Sequence, residues 1–244
     1  MIFIIKKILY RFLPLPKYLR VVSKVFIHLT QLGFFKNKYP ELFHLSHIIK
    51  SGDEVMDIGA NLGYYSVRMA RIVGSNGRVH MIEPVPMFQE ILKKNTRKYA
   101  AFTILYPYAL GTKDEEIDFD TPLFHGSVNH GRTGATTVTN PHSFKVPMRN
   151  ADSLFAAIDK LVFIKIDVEG YENHVVPAMK QLILRCKPIL QIEVDDKNKL
   201  FIYNFFRNIN YRLFYLDKNV LKPLSKENYI LFKHSDFYFY PQPS

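Results

Sequence analysis

The chain has one cysteine in 244 residues, Cys186. No intrachain disulfide can form, so a secreted disulfide scaffold is excluded and a reducing compartment fits. Cys186 stands before Lys187-Pro188 and an apolar run, and reads as a packing residue rather than a nucleophile. Long apolar runs are missing from the N-terminal region. Met1–Ile5 stops at Lys6, and the longest uncharged run there, Val25–Phe35, has eleven residues, where a bilayer span needs about 20. A signal peptide is not expected, because the apolar run precedes the charges and no small-residue cleavage site comes after them. Low-complexity tracts and internal repeats are also missing. With 48% apolar residues, the composition is that of a folded chain with a sizeable core.

Acids are missing from two segments. Residues 1–40 hold Lys6, Lys7, Arg11, Lys17, Arg20, Lys24, Lys36 and Lys38 and no Asp or Glu, which is eight of the net +11 charges. The remainder is only mildly basic, so the charge does not demand a nucleic-acid-binding core. Ile4, Ile8, Phe12 and Leu13 are interleaved with these cations. Two readings stand side by side: residues 1–24 as a helix resting on an anionic membrane surface, or a helical extension packed on the domain with a solvated basic face. A cytoplasmic protein is expected, and the first reading would place it on the inner face of a membrane. The second acid-free segment runs from Asp120 to Asp152 and contains His125, His130, His142, Arg132, Lys145 and Arg149, with Gly126, Gly131 and Gly134. A stretch of this length without regular patterning is usually functional or mobile, and Phe144–Met148 within it is patterned as an extra strand.

The rest of the chain alternates. Pro14 and Pro16 interrupt a first helix, Pro40 opens a short helical piece, and Ser51-Gly52-Asp53 is a turn. That turn divides a basic helical extension, residues 1–50, from a domain, residues 51–244. Strands are expected at Glu54–Ile58, Arg78–Ile82, Thr103–Tyr106, Leu161–Ile166 and Ile189–Val194. Helices are expected at Tyr64–Val73, around Phe88-Ile91-Leu92, after Glu172 and at Lys199–Asn208. Such βα alternation gives a doubly wound, mostly parallel sheet. Tyr211–Leu216 and Asn228–Phe232, read as late strands without a crossover helix, give it an antiparallel edge.

Two strand ends carry the chemistry. Asp57-Ile58-Gly59-Ala60-Asn61-Leu62-Gly63 succeeds a strand and opens a helix, where glycine lets backbone amides approach a ligand. It departs from the G-x-G-x-x-G dinucleotide fingerprint: Asn61 replaces the second glycine, and a carboxylate, Asp57, precedes the loop. That carboxylate repels a pyrophosphate and attracts an ammonium. Glu83 ends the next strand, where it can bind both hydroxyls of a ribose. A ligand with a ribose and an amino-acid moiety but no phosphate is S-adenosylmethionine (SAM). The second strand end is Lys165-Ile166-Asp167-Val168-Glu169-Gly170-Tyr171-Glu172, with three carboxylates where a sheet binds ligands.

These blocks, with Ile82-Glu83-Pro84, resemble the FkbM family of SAM-dependent methyltransferases. Weaker agreement continues through Ala109-Leu110-Gly111, Asp152-Ser153-Leu154 and Gln191-Ile192-Glu193, so the resemblance covers residues 50–234. It implies a class I methyltransferase, Rossmann-like sheet of seven strands and methyl transfer to a hydroxyl, often on a sugar or natural product. It also implies a SAM site lined by Asp57, Gly59, Ala60, Asn61, Gly63 and Glu83, with Tyr108 and Ala109 beside the adenine. Pro177 departs from the pattern and is expected to restart the helix after Glu172.

An alcohol is a poor nucleophile, so a base or a metal should help remove its proton. Asp167 is the candidate for orienting the acceptor hydroxyl or the SAM amino group. Glu169 is the first candidate base and His130 the second. A divalent ion on Asp167, Glu169 and Glu193 is allowed by hard-oxygen chemistry, but no spacing rule requires it. The acceptor expected is a small molecule or glycan with a hydroxyl, on a lipid carrier if the N-terminus meets a membrane. Two rivals remain: an RNA methyltransferase, prompted by the isoelectric point of 9.5 but disfavoured by the charge distribution, and a non-catalytic membrane-surface protein that kept the fold.

Overall fold

The computed structural model describes residues 10–120, 123–124, 127–128, 134–135 and 143–243. Helix α1, Leu15–Gln31, begins at Pro14 with Pro16 in its first turn, and α2, Pro40–Ile48, opens on Pro40. Proline is tolerated there because the first helical amides have no intrahelical acceptor. Then β1 (Glu54–Ile58), α3 (Tyr64–Val73), β2 (Arg78–Ile82), α4 (Pro86–Thr96) and β3 (Thr103–Tyr106) form two successive βα units. A second group comprises β4 (Ala109–Gly111), β5 (Glu115–Asp120), β6 (Leu123–Phe124), β7 (Ser127–Val128), β8 (Gly134–Ala135), β9 (Phe144–Asn150) and the short α5 (Ala151–Leu154). The chain then returns with β10 (Phe163–Ile166), α6 (Glu172–Ala178), α7 (Lys180–Cys186), β11 (Ile189–Glu193), α8 (Lys199–Asn208), β12 (Tyr211–Asp217), β13 (Val220–Pro223), α9 (Lys226–Leu231) and β14 (Asp236–Pro241).

The main sheet has the order β13-β12-β14-β11-β10-β1-β2-β3. Its five strands from β11 to β3 are parallel. β1 and β10 lie at its centre in the register Met56↔Ile164 and Ile58↔Ile166, and every residue of β10 is buried. Strands covered on both faces read as mostly apolar runs, which is what made them legible, with buried Asp57 in β1 and Lys165 in β10 as the exceptions. The antiparallel part lies where expected, with β14 inserted between β11 and β12 and antiparallel to both. This is the doubly wound class I methyltransferase architecture, extended by one strand, β13. Its two faces hold separate apolar clusters, one around Ile164, Val176 and Ile192, the other around Val55, Met69 and Val79. α1 buries Leu19 and Ile27 and joins a third cluster with Leu62, Phe88 and Ala109.

Three expectations need correction. Asn228–Phe232 is not a strand: residues 226–231 are α9, whose N-cap Ser225 accepts a hydrogen bond from the Asn228 amide at 3.3 Å. Tyr229 is buried while Leu231 is 80% exposed, so the apolar run has a helical rather than a sheet face. The hairpin partner of β12 is therefore β13, and the final strand is the aromatic segment β14. The segment after β3 also does more than supply one extra strand. β9 pairs with β4 and β5, and β5 with β8, making a second sheet of order β4-β9-β5-β8. Pro177 does not open the new helix: it lies inside α6, one residue before its end at Ala178, and the chain restarts as α7 at Lys180.

Candidate active site

Four strand ends converge at the C-terminal edge of the sheet, where a doubly wound fold opens a crevice. The loop after β1 is pinned there, since the amides of Gly59 and Ala60 both donate to the Ile82 carbonyl and the Asp167 amide donates to that of Ile58. Gly59 has φ +78°, and a Cβ on it would lie 1.8 Å from the Asp167 carbonyl oxygen. Only glycine lets the two loops cross at this spacing. Gly63, at φ +89°, is the N-cap of α3, where a Cβ would stand 2.8 Å from Leu92.

Above this crossing lies a cavity of about 220 Å³. Asp57, Gly59, Ala60, Asn61, Glu83, Tyr108, Ala109, Asp167 and Glu169 all line it, so nearly every residue singled out in the sequence meets in one place. Gly63 does not reach the wall and instead sets the start of α3. His130, with His125 and His142, lies outside the described residues. Asp167, Glu169 and Glu193 do not form an ion site: among the described residues no group of three His, Cys, Asp or Glu side chains is placed to hold a metal.

The carboxylates have different surroundings. Glu83 is buried, with Oε2 accepting from the Asn61 amide at 2.7 Å and Oε1 from the Val85 amide at 2.8 Å. Burial nevertheless pushes its pKa up to about 7. Asp57 is buried beneath the glycine loop and accepts from the Ser66 hydroxyl, and burial raises it to about 6. Glu172, expected as a third acid of the site, turns away. Its Oε1 accepts from the Gly170 amide at 2.7 Å and its Oε2 from Asn198 Nδ2 at 2.6 Å. It locks the loop at residues 167–171 to the segment before α8. Glu169 is exposed on that loop in the left-handed region, φ +47°, and a Cβ on Gly134 would stand 3.3 Å from the Glu169 Cβ. Strand β8 therefore leans on the acidic loop, and Phe119 and Gly134 of the second sheet close one side of the cavity.

Beneath Asp167 is a group that sequence reasoning missed. Lys165 is 1% exposed, with Nζ 3.4 Å from Asp236 Oδ1 and 3.7 Å from Asp167 Oδ2, over the face of Tyr65. Gln191 Nε2 donates to the same Asp236 oxygen at 2.9 Å and to the Tyr65 hydroxyl at 3.0 Å. Burial pulls the Lys165 ammonium down, but Asp236, Asp167 and Glu193 outweigh it and hold its pKa well above the usual lysine range. Glu193, at the end of β11, is pushed up to about 7 by burial and by Asp167. Lys165 ties the candidate substrate-binding acid to the last strand of the sheet. No local signal marks this pair, because 71 residues separate its members.

Comparison with known proteins decides the family. A profile described as "Methyltransferase FkbM domain" matches residues 57–213. The chain belongs to the FkbM methyltransferase family. This family member has the fold of Methyltransferase FkbM from Methylobacillus flagellatus KT, with TM-score 0.58 at 18% identity over 96% of this chain and 58% of that one. Protein-L-isoaspartate O-methyltransferase of Caenorhabditis elegans is 34% identical over 82 residues, 34% of this chain and 32% of the relative. The enzyme of that name from Methanococcus aeolicus is 40% identical over 50 residues, 20% of this chain and 23% of the relative. The chain thus spans about a third or less of these curated relatives. The matched model describes a methyltransferase domain, and the methyl donor to test against this site is SAM.

The residues present fit that cofactor. The cavity is walled by apolar Ile82, Pro84, Phe88 and Leu110 on one side, as a purine requires, and holds a buried carboxyl, Glu83, at the second strand end. Asp57 at the glycine loop places negative rather than positive charge there, which suits an ammonium and not a phosphate.

Proposed function

We propose that this protein methylates a hydroxyl oxygen, on a sugar of a glycan or lipid-linked glycan. The observation that carries the reading is the meeting of Asp57, Glu83, Asp167 and Glu169 around one cavity, with Glu169 exposed at its edge. In this reading Glu83 accepts hydrogen bonds from the two ribose hydroxyls, using oxygens already oriented by the Asn61 and Val85 amides. Asp57 faces the amino-acid end, on a loop whose Gly59, Ala60 and Asn61 amides are held by the Ile82 carbonyl and Glu83, and Tyr108 and Ala109 flank the adenine. Bound SAM supplies an electrophilic methyl on a sulfonium sulfur. Asp167, held by Lys165, orients the acceptor hydroxyl in line with that methyl, and positioning of this kind supplies much of the rate. Glu169 takes the hydroxyl proton as the oxygen–carbon bond forms and the sulfur–carbon bond breaks. His130 is the second candidate for that proton.

Calorimetric titration with SAM, beside NAD and an Asp57→Ala variant, tests the cofactor half. Micromolar SAM binding, lost in Asp57→Ala and not shared by NAD, is expected; no SAM binding by a folded protein would remove the reading. A panel of sugars and polyprenyl-linked sugars, with tritiated SAM, tests the acceptor half. Label in an ester in place of an ether would overturn the hydroxyl assignment, and label on RNA would overturn the glycan one.

A further inference from the structure

Helix α1 has two apolar faces. One is inward: Leu19, Ser23, Ile27 and Thr30 are buried against the domain. The other carries Val21 (40% exposed), Val25 (52%) and Leu32 (62%). Val21 stands about 200° around the helix from Ser23, Val25 is one turn further on, and Leu32 about two turns beyond that, so the three form a single outward stripe. Phe12 (75%) and Phe34 (55%) are exposed beyond the two ends of the helix. Lys17, Arg20 and Lys24 are exposed along one flank, between roughly 40° and 100° from Val21. A solvated helix face has no reason to present such a stripe, and no element of the described fold covers it.

We infer that the outer face of α1 is a docking surface for an anionic phospholipid bilayer. The apolar stripe suits the acyl boundary, and the flanking cations suit anionic headgroups. Charge complementarity favours lipid over a second copy of the chain. The whole segment 1–40 has eight Lys and Arg and no acid, so two such surfaces would repel each other. The inner face of α1 shares an apolar cluster with Phe88, Ala109 and Phe119, which also wall the cavity. A bilayer bound outside α1 thus lies one helix away from the cavity wall. Docking of this kind is independent of which acceptor is methylated, and its test reads partitioning rather than activity.

Sedimentation of the full chain with vesicles of phosphatidylcholine doped with phosphatidylserine, against pure phosphatidylcholine, provides that test. The wild type is expected to partition onto the anionic vesicles and to be released by salt. Partitioning should fall at least about tenfold in Val21→Asp/Val25→Asp/Leu32→Asp and in Lys17→Glu/Arg20→Glu/Lys24→Glu, each with an unchanged melting temperature. Failure of a normally folded wild type to partition would overturn the inference, as would wild-type partitioning by the stripe variant. A wild-type dimer in size-exclusion chromatography that Leu32→Asp converts to a monomer would assign the stripe to a second copy instead.

Discussion

At the scale of single residues, the same backbone angle has two different costs. Gly52 and Gly59 have φ of +88° and +78°, but a Cβ at Gly52 meets nothing within 4 Å while one at Gly59 meets the Asp167 carbonyl at 1.8 Å. Gly52→Ala should cost about 1–2 kcal/mol, the left-handed strain alone. Gly59→Ala adds a backbone collision and should cost on the order of 3 kcal/mol or more, with loss of SAM binding. Urea unfolding of the two variants checks this, and equal destabilisation would show that the loops can separate. Glu83 and Asp57 make a second prediction. Carboxyls titrate near pH 4 in the unfolded chain, but at about 7 and about 6 in the fold. Between those limits the folded chain binds more protons, so the unfolding free energy of the free protein falls as pH rises from about 4 to about 7, by at most about 1.4 kcal/mol per pH unit for each group. SAM binding runs the other way, because the carboxylate forms are the ones that accept ribose hydroxyls and face an ammonium. Affinity should rise with pH up to about 7, no more than about tenfold per pH unit for each group, and Glu83→Gln should flatten the profile while weakening binding. A wild-type affinity that does not change over that range would remove Glu83 and Asp57 from the cofactor contacts.

At the scale of elements, the loop between β10 and α6 depends on contacts made far along the chain. Glu172 and Asn198 fix its far end, Lys165 and Asp236 its near end. Glu172→Ala strands the Gly170 amide and leaves Asn198 Nδ2 with only the Gly170 carbonyl as acceptor, which should cost about 1–3 kcal/mol and lower turnover by releasing Glu169. Lys165→Met leaves Asp236 and Asp167 without their cation. The loss should be about 3 kcal/mol, at the low end for a broken buried pair because the carboxylates are 23% and 31% exposed. If positioning Asp167 is the purpose of Lys165, Lys165→Arg should restore much of the turnover, whereas a purely structural cation would restore stability alone. Such contacts mark the limit of what the sequence shows. The parallel strands and the glycine loop were legible because burial on both faces leaves mostly apolar runs and a positive φ favours glycine. Glu172 looked like a site acid because nothing near it in sequence reveals Asn198. The segment 226–231 looked like a strand because its apolar and aromatic residues hide a helical face. The Ser225 N-cap, with Glu227 in the first turn, was the available signal. The second sheet was not legible, because β8 is two residues long and joins the sheet through β5, which itself pairs with the distant β9.

For the whole molecule, the question is whether the basic N-terminal segment is an attachment or a part of the enzyme. Its charge argues for attachment: eight of the eleven excess cations precede residue 41. Its packing argues for a part. Leu19 is fully buried in the cluster that contains Leu62, Phe88 and Ala109, and Asn95 of α4 donates both to Ser23 of α1 at 3.0 Å and to the Leu62 carbonyl at 2.8 Å. α1 is thus tied through Asn95 to the same glycine loop that walls the cavity. Deleting residues 1–24 would remove Leu19 and Ser23 together with the cations, and lost membrane binding would be confounded with a damaged domain. Point substitutions separate the two faces. Leu19→Ala should cost about 2–5 kcal/mol, as a large-to-small change in a filled core does, and should weaken SAM binding. Val25→Asp, on the opposite face, should change stability by no more than about 0.5 kcal/mol and leave SAM affinity as it was. Thermal melts with and without SAM distinguish these outcomes. Matched losses at Leu19 and Val25 would mean that α1 is buried on both sides, by a partner chain rather than by a bilayer.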